Sequence, residues 1–198
     1  ASGKDVLVLG DSTAVGTGAS GSDNSFVGLV GQEFSEYNFE NVAVNGAKVA
    51  DIESQLSNAK KDQYDRVILL VGGNDTLYFT SISDMKSGLH DVLPKLGNIS
   101  DEVVLMNGLR AGRFHIFPYI FQNVYISRTH AVQNLYREIE GQYDFVEYFD
   151  MSVSAKNDVF VTQRDKMHSD DRFHPSDAGY RVWVDDFKKF LEERDIDF

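Results

Sequence analysis

A serine, a histidine and an aspartate stand where they could perform nucleophilic chemistry together. Ser12 follows an apolar run and Gly10, a context in which its hydroxyl can lie exposed at the start of a helix. A serine hydroxyl is a weak nucleophile until a base removes its proton, so the chain must also supply a histidine and a group that orients it. We expect His174 to be the base, because Pro175 restricts its backbone to an extended form from which the ring can project.

An aspartate just before His174 is the expected orienting group. Asp171 precedes the histidine by three residues, and across a tight turn its carboxylate can reach Nδ1 and leave Nε2 facing the serine. Asp170 is the competing acid, but its offset of four residues makes it the second choice. Three further histidines lie on helical or polar segments without an evident partner: His90, His130 and His168. A histidine base predicts activity that rises with pH, because only neutral imidazole accepts the serine proton.

Two further polar turns follow apolar runs of the chain. They are Asn45–Gly46 and Gly72–Asp75. If the apolar runs are parallel strands, these turns and Ser12 share one edge of the sheet, where ligands bind in such folds. Taken singly, each turn is most often structural, since Asn tolerates positive φ and an aspartate such as Asp75 or Asp11 can hydrogen-bond nearby backbone.

Taken together, these residues resemble the four blocks of the SGNH (GDSL-type) hydrolases in order and approximate spacing. The blocks are Gly10-Asp11-Ser12, Gly46, Gly73-Asn74-Asp75 and Asp171-x-x-His174. The resemblance implies a flavodoxin-like sheet of five parallel strands and hydrolysis of esters, sometimes thioesters or amides, without a metal or an organic cofactor. It also implies that Ser12, His174 and Asp171 form the catalytic triad. The implied oxyanion hole consists of the backbone amides of Ser12 and Gly46 and the side chain of Asn74.

Two parts of the chain depart from the family pattern. Thr13 stands where the usual motif has Leu, a position that packs behind the nucleophile, so we expect a structural effect and not a catalytic one. The segment 109–121 matches none of the blocks; its aromatic residues are typical of a core, and we also consider them as a lid or an acyl pocket. The candidates for substrate contact there are Phe114, His115, Phe117 and Tyr119.

The substrate class stays open at this stage. The leading hypothesis is a serine hydrolase that cleaves carboxylic esters with small or medium acyl chains through an acyl-enzyme intermediate. A carbohydrate O-acetylesterase and a lysophospholipase or thioesterase of the same family are the alternatives. A non-catalytic ligand-binding module is a remote alternative, and it predicts a missing catalytic residue, whereas none is missing here.

The elements that must position these residues follow from the apolar pattern. Continuous apolar runs predict strands near 6–9, 42–44, 67–71, 103–106 and 145–148. Helical stretches are predicted at 26–37, 49–59, 82–96 and 121–141, with a last helix from about 177 onward. This alternation predicts an α/β fold with three layers, α/β/α, around a five-stranded, mostly parallel sheet with right-handed crossovers.

Length, net charge and composition indicate the number of domains and exclude some classes of partner. The 198 residues predict a single domain over 1–198, and the net charge of −12 disfavours a nucleic acid partner. No apolar run is long enough to span a membrane, and no cysteine is present. Gly16-Thr17-Gly18 partly resembles a phosphate-binding loop, but it lies too far from the strand and lacks the required lysine. We therefore expect a small-molecule ester as partner. The oligomeric state stays open, as does the compartment, which is either cytoplasmic or, after removal of a signal peptide, periplasmic or extracellular.

Overall fold

A parallel sheet forms the centre of the protein. The structure is a computed structural model and describes residues 3–108, 119–151 and 158–198, with the backbone alone for 119–121. Its strands are β1 (Lys4–Gly10), β2 (Tyr37–Asn41), β3 (Arg66–Leu70), β4 (Val103–Met106) and β5 (Val146–Phe149). They lie in the order β2-β1-β3-β4-β5, and each neighbouring pair is parallel. The predicted five-stranded α/β fold is confirmed.

Helices cover both faces of this sheet. They are α1 (Ser12–Val15), α2 (Phe26–Glu33), α3 (Ile52–Leu56), α4 (Gly73–Leu77), α5 (Ile82–Gly97), α6 (Tyr119–Glu140), α7 (Val159–Thr162), α8 (Arg164–Met167) and α9 (Asp177–Glu193). Two 3₁₀ turns, Ser22–Asn24 and Val49–Asp51, complete the helical elements in the described parts of the chain. Within those parts, none of the helices has both the length and the apolar character needed to cross a bilayer.

The apolar runs of the strands are explained by burial on both faces. Val6 and Val8 of β1 pack on the side that α2 and α9 cover, together with Trp183. Leu7 and Leu9 point to the opposite side, into a second cluster built with α5 and α6. Because successive strand residues face opposite sides, a strand covered on both sides must be apolar throughout.

The strand order fixes where a ligand can bind. From β1 the chain moves outward to β2 and then crosses to β3 on the other side of β1, so the topological switch lies between β1 and β3. Gly10 is paired with Leu70 at the carboxyl ends of these two strands. The turns that follow β1 and β3 are therefore neighbours in space.

The second strand differs from its prediction. We expected it at 42–44, whereas β2 comprises Tyr37–Asn41. Val42 and Val44 still donate backbone hydrogen bonds to Val8 and Gly10 at 3.0 and 3.1 Å, but they follow the strand proper. An edge strand is covered on fewer sides than a central one, so β2 lacks the continuous apolar run that indicates the other strands.

Two helix predictions are corrected for related reasons. The helix expected over 26–37 ends at Glu33, because Tyr37 is needed as the first residue of β2, where it pairs with Lys4 of β1. The helix expected over 49–59 divides into the 3₁₀ turn Val49–Asp51 and α3, which ends at Leu56. The predictions at 82–96 and 121–141 differ from α5 and α6 by one or two residues at their ends.

Candidate active site

Ser12 is held at the carboxyl end of β1 by a sharp turn. Gly10 has a φ of 148°, and a Cβ at this position would overlap the carbonyl oxygen of Leu70. The next amide, that of Asp11, donates to the same Leu70 oxygen at 3.0 Å. Asp11 then caps α1, and Ser12 is the first residue of that helix. The turn out of the strand therefore sets the direction in which the serine side chain projects.

The structure brings Ser12, His174 and Asp171 into one hydrogen-bonded chain. His174 Nε2 lies 2.8 Å from Ser12 Oγ, and His174 Nδ1 lies 2.6 Å from Asp171 Oδ2. Ser12 and His174 are 162 residues apart in the sequence. This is the arrangement in which a histidine can accept the serine proton while the aspartate fixes the ring orientation.

Asp171 is built to remain ionised. Burial raises its pKa, but hydrogen bonds from the His174 ring, from the amides of Phe173 and His174 and from the Ser169 hydroxyl outweigh that effect and hold the pKa well below its usual value. The amide and hydroxyl bonds all end on Oδ1, at 2.8 to 2.9 Å. Oδ2 is thus left for the imidazole. Asp170, the competing acid, lies beside an outer cleft with Arg164 and Arg172 instead.

The segment after α1 supports the back of the histidine. Gly18 has a φ of 96°, and a Cβ added there would overlap the Pro175 carbonyl oxygen and lie 2.8 Å from His174 Cβ. Two hydrogen-bonded connections tie the same segment to α9. The Tyr180 hydroxyl donates to the Thr17 carbonyl at 2.7 Å, and the Ser20 amide and hydroxyl donate to the Asp177 carboxylate at 2.7 and 2.6 Å. From the sequence, Gly16 and Gly18 suggest only a partial phosphate-binding loop, so the supporting role of this segment was missed. The close spacing of the two glycines was the only signal of that role.

Asn74 reaches the cleft from the turn after β3. It lies in the first turn of α4, and its Nδ2 donates to the Ala47 carbonyl at 3.1 Å. Gly46, one residue before Ala47, has a φ of 81° and lies on an exposed turn. Asn74 lines the cleft beside Ser12, whereas Gly46 is not among the described residues that line it.

A buried carboxylate links the two turns. Asp11 is 2% exposed and accepts hydrogen bonds from the Thr13 amide at 2.9 Å and from the Thr13 hydroxyl at 2.7 Å. It also accepts from the backbone of Gly73, the residue before Asn74. Burial raises the pKa of Asp11, and the bonds from Thr13 and Gly73 counter that effect. Asp75 makes a comparable long-range connection, because its Oδ2 accepts from the Val49 amide at 2.9 Å.

The cleft at Ser12 is small. It encloses about 40 Å³. Its lining consists of Asp11, Ser12, Thr13, Gly73, Asn74, Gly108, Phe173 and His174. Gly108 is part of its wall, and a larger residue would not fit there, because a Cβ would lie 2.8 Å from Trp183 Cη2 and 3.3 Å from the Thr13 side chain. The described lining of the cleft therefore favours a short acyl group.

The remaining sequence candidates lie elsewhere or outside the described part. His90 and His168, expected to lack partners, contact the Tyr143 hydroxyl at 2.7 Å and the Arg164 carbonyl at 3.1 Å. His130 is exposed on α6. The proposed substrate-contact residues Phe114, His115 and Phe117 lie outside the described residues, as does the side chain of Tyr119.

Comparison with known proteins identifies the family of the chain. The chain matches the model of the GDSL-like lipase/acylhydrolase family over residues 8–182. A comparison with curated proteins gives no match.

Among solved structures, the chain is similar to a member of the lipolytic protein G-D-S-L family from Veillonella parvula, at 15% identity and a TM-score of 0.74, over 94% of this chain and 97% of that one. It is also similar to the psychrotrophic esterase EstA from Pseudoalteromonas sp., at 15% identity and a TM-score of 0.67, over 96% and 97% of the two chains. The acetyl xylan esterase AlAXEase is similar at 18% identity and a TM-score of 0.68, over 93% and 98%. The TM-scores establish a shared fold, and the family match spans most of the sequence. The chain therefore belongs to the GDSL-like lipase/acylhydrolase family and is a hydrolase.

Proposed function

We propose that the protein hydrolyses carboxylic esters with short acyl groups, with Ser12 as nucleophile, His174 as general base and Asp171 as the residue that orients the base. The observation that carries the proposal is the hydrogen-bonded chain from Ser12 Oγ through both ring nitrogens of His174 to Asp171, with distances of 2.8 and 2.6 Å. Distances of this length permit proton transfer without rearrangement of the side chains.

In the first step, Ser12 Oγ attacks the ester carbonyl carbon and its proton passes to His174 Nε2. The tetrahedral intermediate then collapses, the bond to the alcohol oxygen breaks, and the imidazolium gives its proton to the leaving alcohol. In the second step, a water molecule loses a proton to His174 and attacks the acyl-enzyme. The carboxylic acid leaves, and the proton returns to Ser12 Oγ.

Three donors are proposed to stabilise the negative oxygen that forms in both steps. As the first residue of α1, Ser12 has a backbone N–H that no carbonyl of the helix accepts. The Asn74 amide has two N–H donors, so its bond to Ala47 leaves one for the substrate. The Gly46 amide is proposed as the third donor, on the basis of the family resemblance and its position next to Ala47. A single donor of this kind contributes about 10²- to 10³-fold to turnover.

The test uses substrates and a covalent probe. Chromogenic acetyl, butyryl and octanoyl esters are offered to the folded protein, and we expect turnover that falls as the acyl chain lengthens, because the cleft is small. A fluorophosphonate should label Ser12, as located by peptide mass spectrometry, and S12A should remain unlabelled. Absence of both turnover and labelling would reject the proposal in favour of a non-catalytic ligand-binding module. Labelling of a different serine would reject the assignment of the nucleophile.

A further inference from the structure

A buried carboxamide contacts the backbone of the turn that carries Ser12. Gln55 lies on α3 and is 1% exposed. Its Oε1 accepts a hydrogen bond from the Gly10 N–H, and its Nε2 donates to the Gly10 carbonyl, both at 2.8 Å. One side chain therefore satisfies both the donor and the acceptor of a single residue. Gly10 is 45 residues away from Gln55 in the sequence and stands directly before the Asp11–Ser12 pair.

This contact takes the place of a regular hydrogen bond between strands. The Val44 amide donates to the Gly10 carbonyl at 3.1 Å, as in a parallel ladder. If the ladder continued, the Gly10 N–H would donate to the carbonyl of Val42 in the same neighbouring segment. It donates to Gln55 instead. The backbone pairing on the side of β2 thus ends at Gly10, and the Gln55 side chain completes it.

Gly10 needs such a support because it is a glycine. Its φ of 148° and its closeness to the Leu70 carbonyl exclude a larger residue. Glycine has more accessible backbone conformations than other residues, so its own stereochemistry does not restrict the direction in which the chain leaves β1. Two hydrogen bonds from one planar group limit the rotation on both sides of the Gly10 Cα. Gln55 thereby restricts the position of the peptide that leads to Ser12.

The element that carries Gln55 is also connected to the other side of the cleft. α3 continues directly from the 3₁₀ turn that begins at Val49, and the Val49 amide donates to the Asp75 carboxylate at 2.9 Å. Asp75 directly follows Asn74, a proposed oxyanion donor. Gln55 therefore lies on an element that is hydrogen-bonded to the Asn74 turn, and its side chain contacts the Ser12 turn.

Gln55 acts from behind the reactive groups. Among the described residues that line the cleft, Ser12 is present and Gln55 is not. An effect of Gln55 on turnover must therefore pass through the backbone of Gly10. We propose that Gln55 is a positioning residue, whose carboxamide fixes the Gly10 peptide and so holds the Ser12 hydroxyl within reach of His174 Nε2. This inference rests on the proposed ester hydrolysis at Ser12.

The first test removes both hydrogen bonds and keeps the length of the side chain. In Q55M we expect kcat for 4-nitrophenyl acetate to fall about 10- to 100-fold with KM within about twofold, because the nucleophile is displaced while the lining of the cleft is retained. The rate of fluorophosphonate labelling at Ser12 should fall by a similar factor. The control is Q63M, since Gln63 also donates to a backbone carbonyl, that of Asn98, but in an exposed loop. Q63M should leave both rates unchanged.

The second test makes the contact depend on pH. The uncharged carboxyl group of Q55E has a donor and an acceptor and can repeat both bonds to Gly10, whereas its ionised form has acceptors only and repels the Gly10 carbonyl. Burial, together with the buried Asp11 carboxylate beside Gly10, raises the pKa of this carboxyl group above its usual value. The ratio of kcat in Q55E to kcat in the unsubstituted protein should therefore be close to one at about pH 5 and fall at least about tenfold by about pH 8. The ratios for Q55M and for the control Q63E should not vary with pH.

A role in stability alone would give different results. Circular dichroism identifies the temperatures at which each variant is folded, and unchanged kcat and labelling of Q55M at those temperatures would overturn the positioning role. A ratio for Q55E that stays constant with pH would also overturn it, and this second test decides alone if Q55M does not fold.

A failure of the proposed function is recognised separately. If the unsubstituted protein neither cleaves an ester nor is labelled, the proposed function is rejected, and the contact of Gln55 is then judged by amide hydrogen exchange. Q55M must accelerate exchange of the Gly10 amide more than exchange of the Leu7 and Leu9 amides in the same strand, because the lost bond is local. Equal acceleration at all three amides would reject the inference.

Discussion

The turn that carries Ser12 and the loop that carries His174 are positioned by different means. The serine turn is set by strand pairing, since Gly10 lies against Leu70 and Asp11 donates to the same carbonyl. The histidine loop belongs to no strand of the sheet, and hydrogen bonds from the Ser169 amide to the His174 carbonyl and from the Ser176 amide to the Met167 carbonyl, both at 2.9 Å, close its base. It depends on Asp171 within the loop and on Gly18, which contacts it from more than 150 residues away in the sequence. Ser12 is thus held by the pairing of the strands, and His174 by contacts outside the sheet that can be changed separately.

The largest expected loss of turnover follows from substitution of Ser12 or His174. S12A should lower kcat for 4-nitrophenyl acetate by about 10³-fold or more, because the triad acts as a unit. H174A should have a similar effect, and the double variant should be no worse than either single one. Steady-state kinetics measures all three. Additive losses in the double variant would contradict a shared role.

The second-largest loss of turnover is expected when Asp171, the proposed orienting acid, is replaced. Asp171 stays ionised at every pH of an ordinary assay, because hydrogen bonds lower its pKa. D171N should therefore reduce kcat by roughly 10²- to 10⁴-fold across that range. D170N serves as the control, and a larger effect of D170N than of D171N would reverse the assignment.

A substitution of Gly18 tests whether the segment after α1 supports the His174 loop. G18A should lower kcat about tenfold with little change in KM, because the added Cβ displaces the His174 loop and the turn must keep a positive φ. The rate of fluorophosphonate labelling at Ser12 should fall in parallel. The matched control is G21A, in the same segment, where an added Cβ meets no atom within 4 Å. Equal kinetic constants for G18A and G21A would contradict the supporting role that we assign to Gly18.

The smallest effect is expected from Thr13. T13V keeps the shape of the side chain but removes the hydroxyl that donates to Asp11 at 2.7 Å, and it should lower the free energy of unfolding by about 1–2 kcal/mol. Activity should change by less than about threefold, because the Thr13 amide and Gly73 still hold the Asp11 carboxylate. Urea denaturation and ester kinetics measure the two quantities. A loss of activity much larger than the loss of stability would assign Thr13 a role in catalysis.

The sheet and the proximity of Ser12, His174 and Asp171 could be predicted because the sequence signals of each are local. Buried strands have continuous apolar runs, Ser12 follows a glycine turn, and His174 stands between Asp171 and a proline. The contacts of Gly18 with the His174 loop and of Gln55 with Gly10 carry no such signal, since they join residues that no periodicity relates. The edge strand β2 was misplaced for a similar reason: its partner is the backbone of β1, and its own side chains are only partly covered.

The contact between Gly10 and Leu70 also limits how this enzyme could be altered. Any side chain at residue 10 would overlap the Leu70 carbonyl and push apart the two central strands, so this position, two residues before Ser12, admits only glycine. Exposed residues of the loops above the sheet, such as Tyr78, are under no such restriction. Natural divergence and laboratory selection for new esters should therefore accumulate changes in these loops while the strand crossing stays as it is.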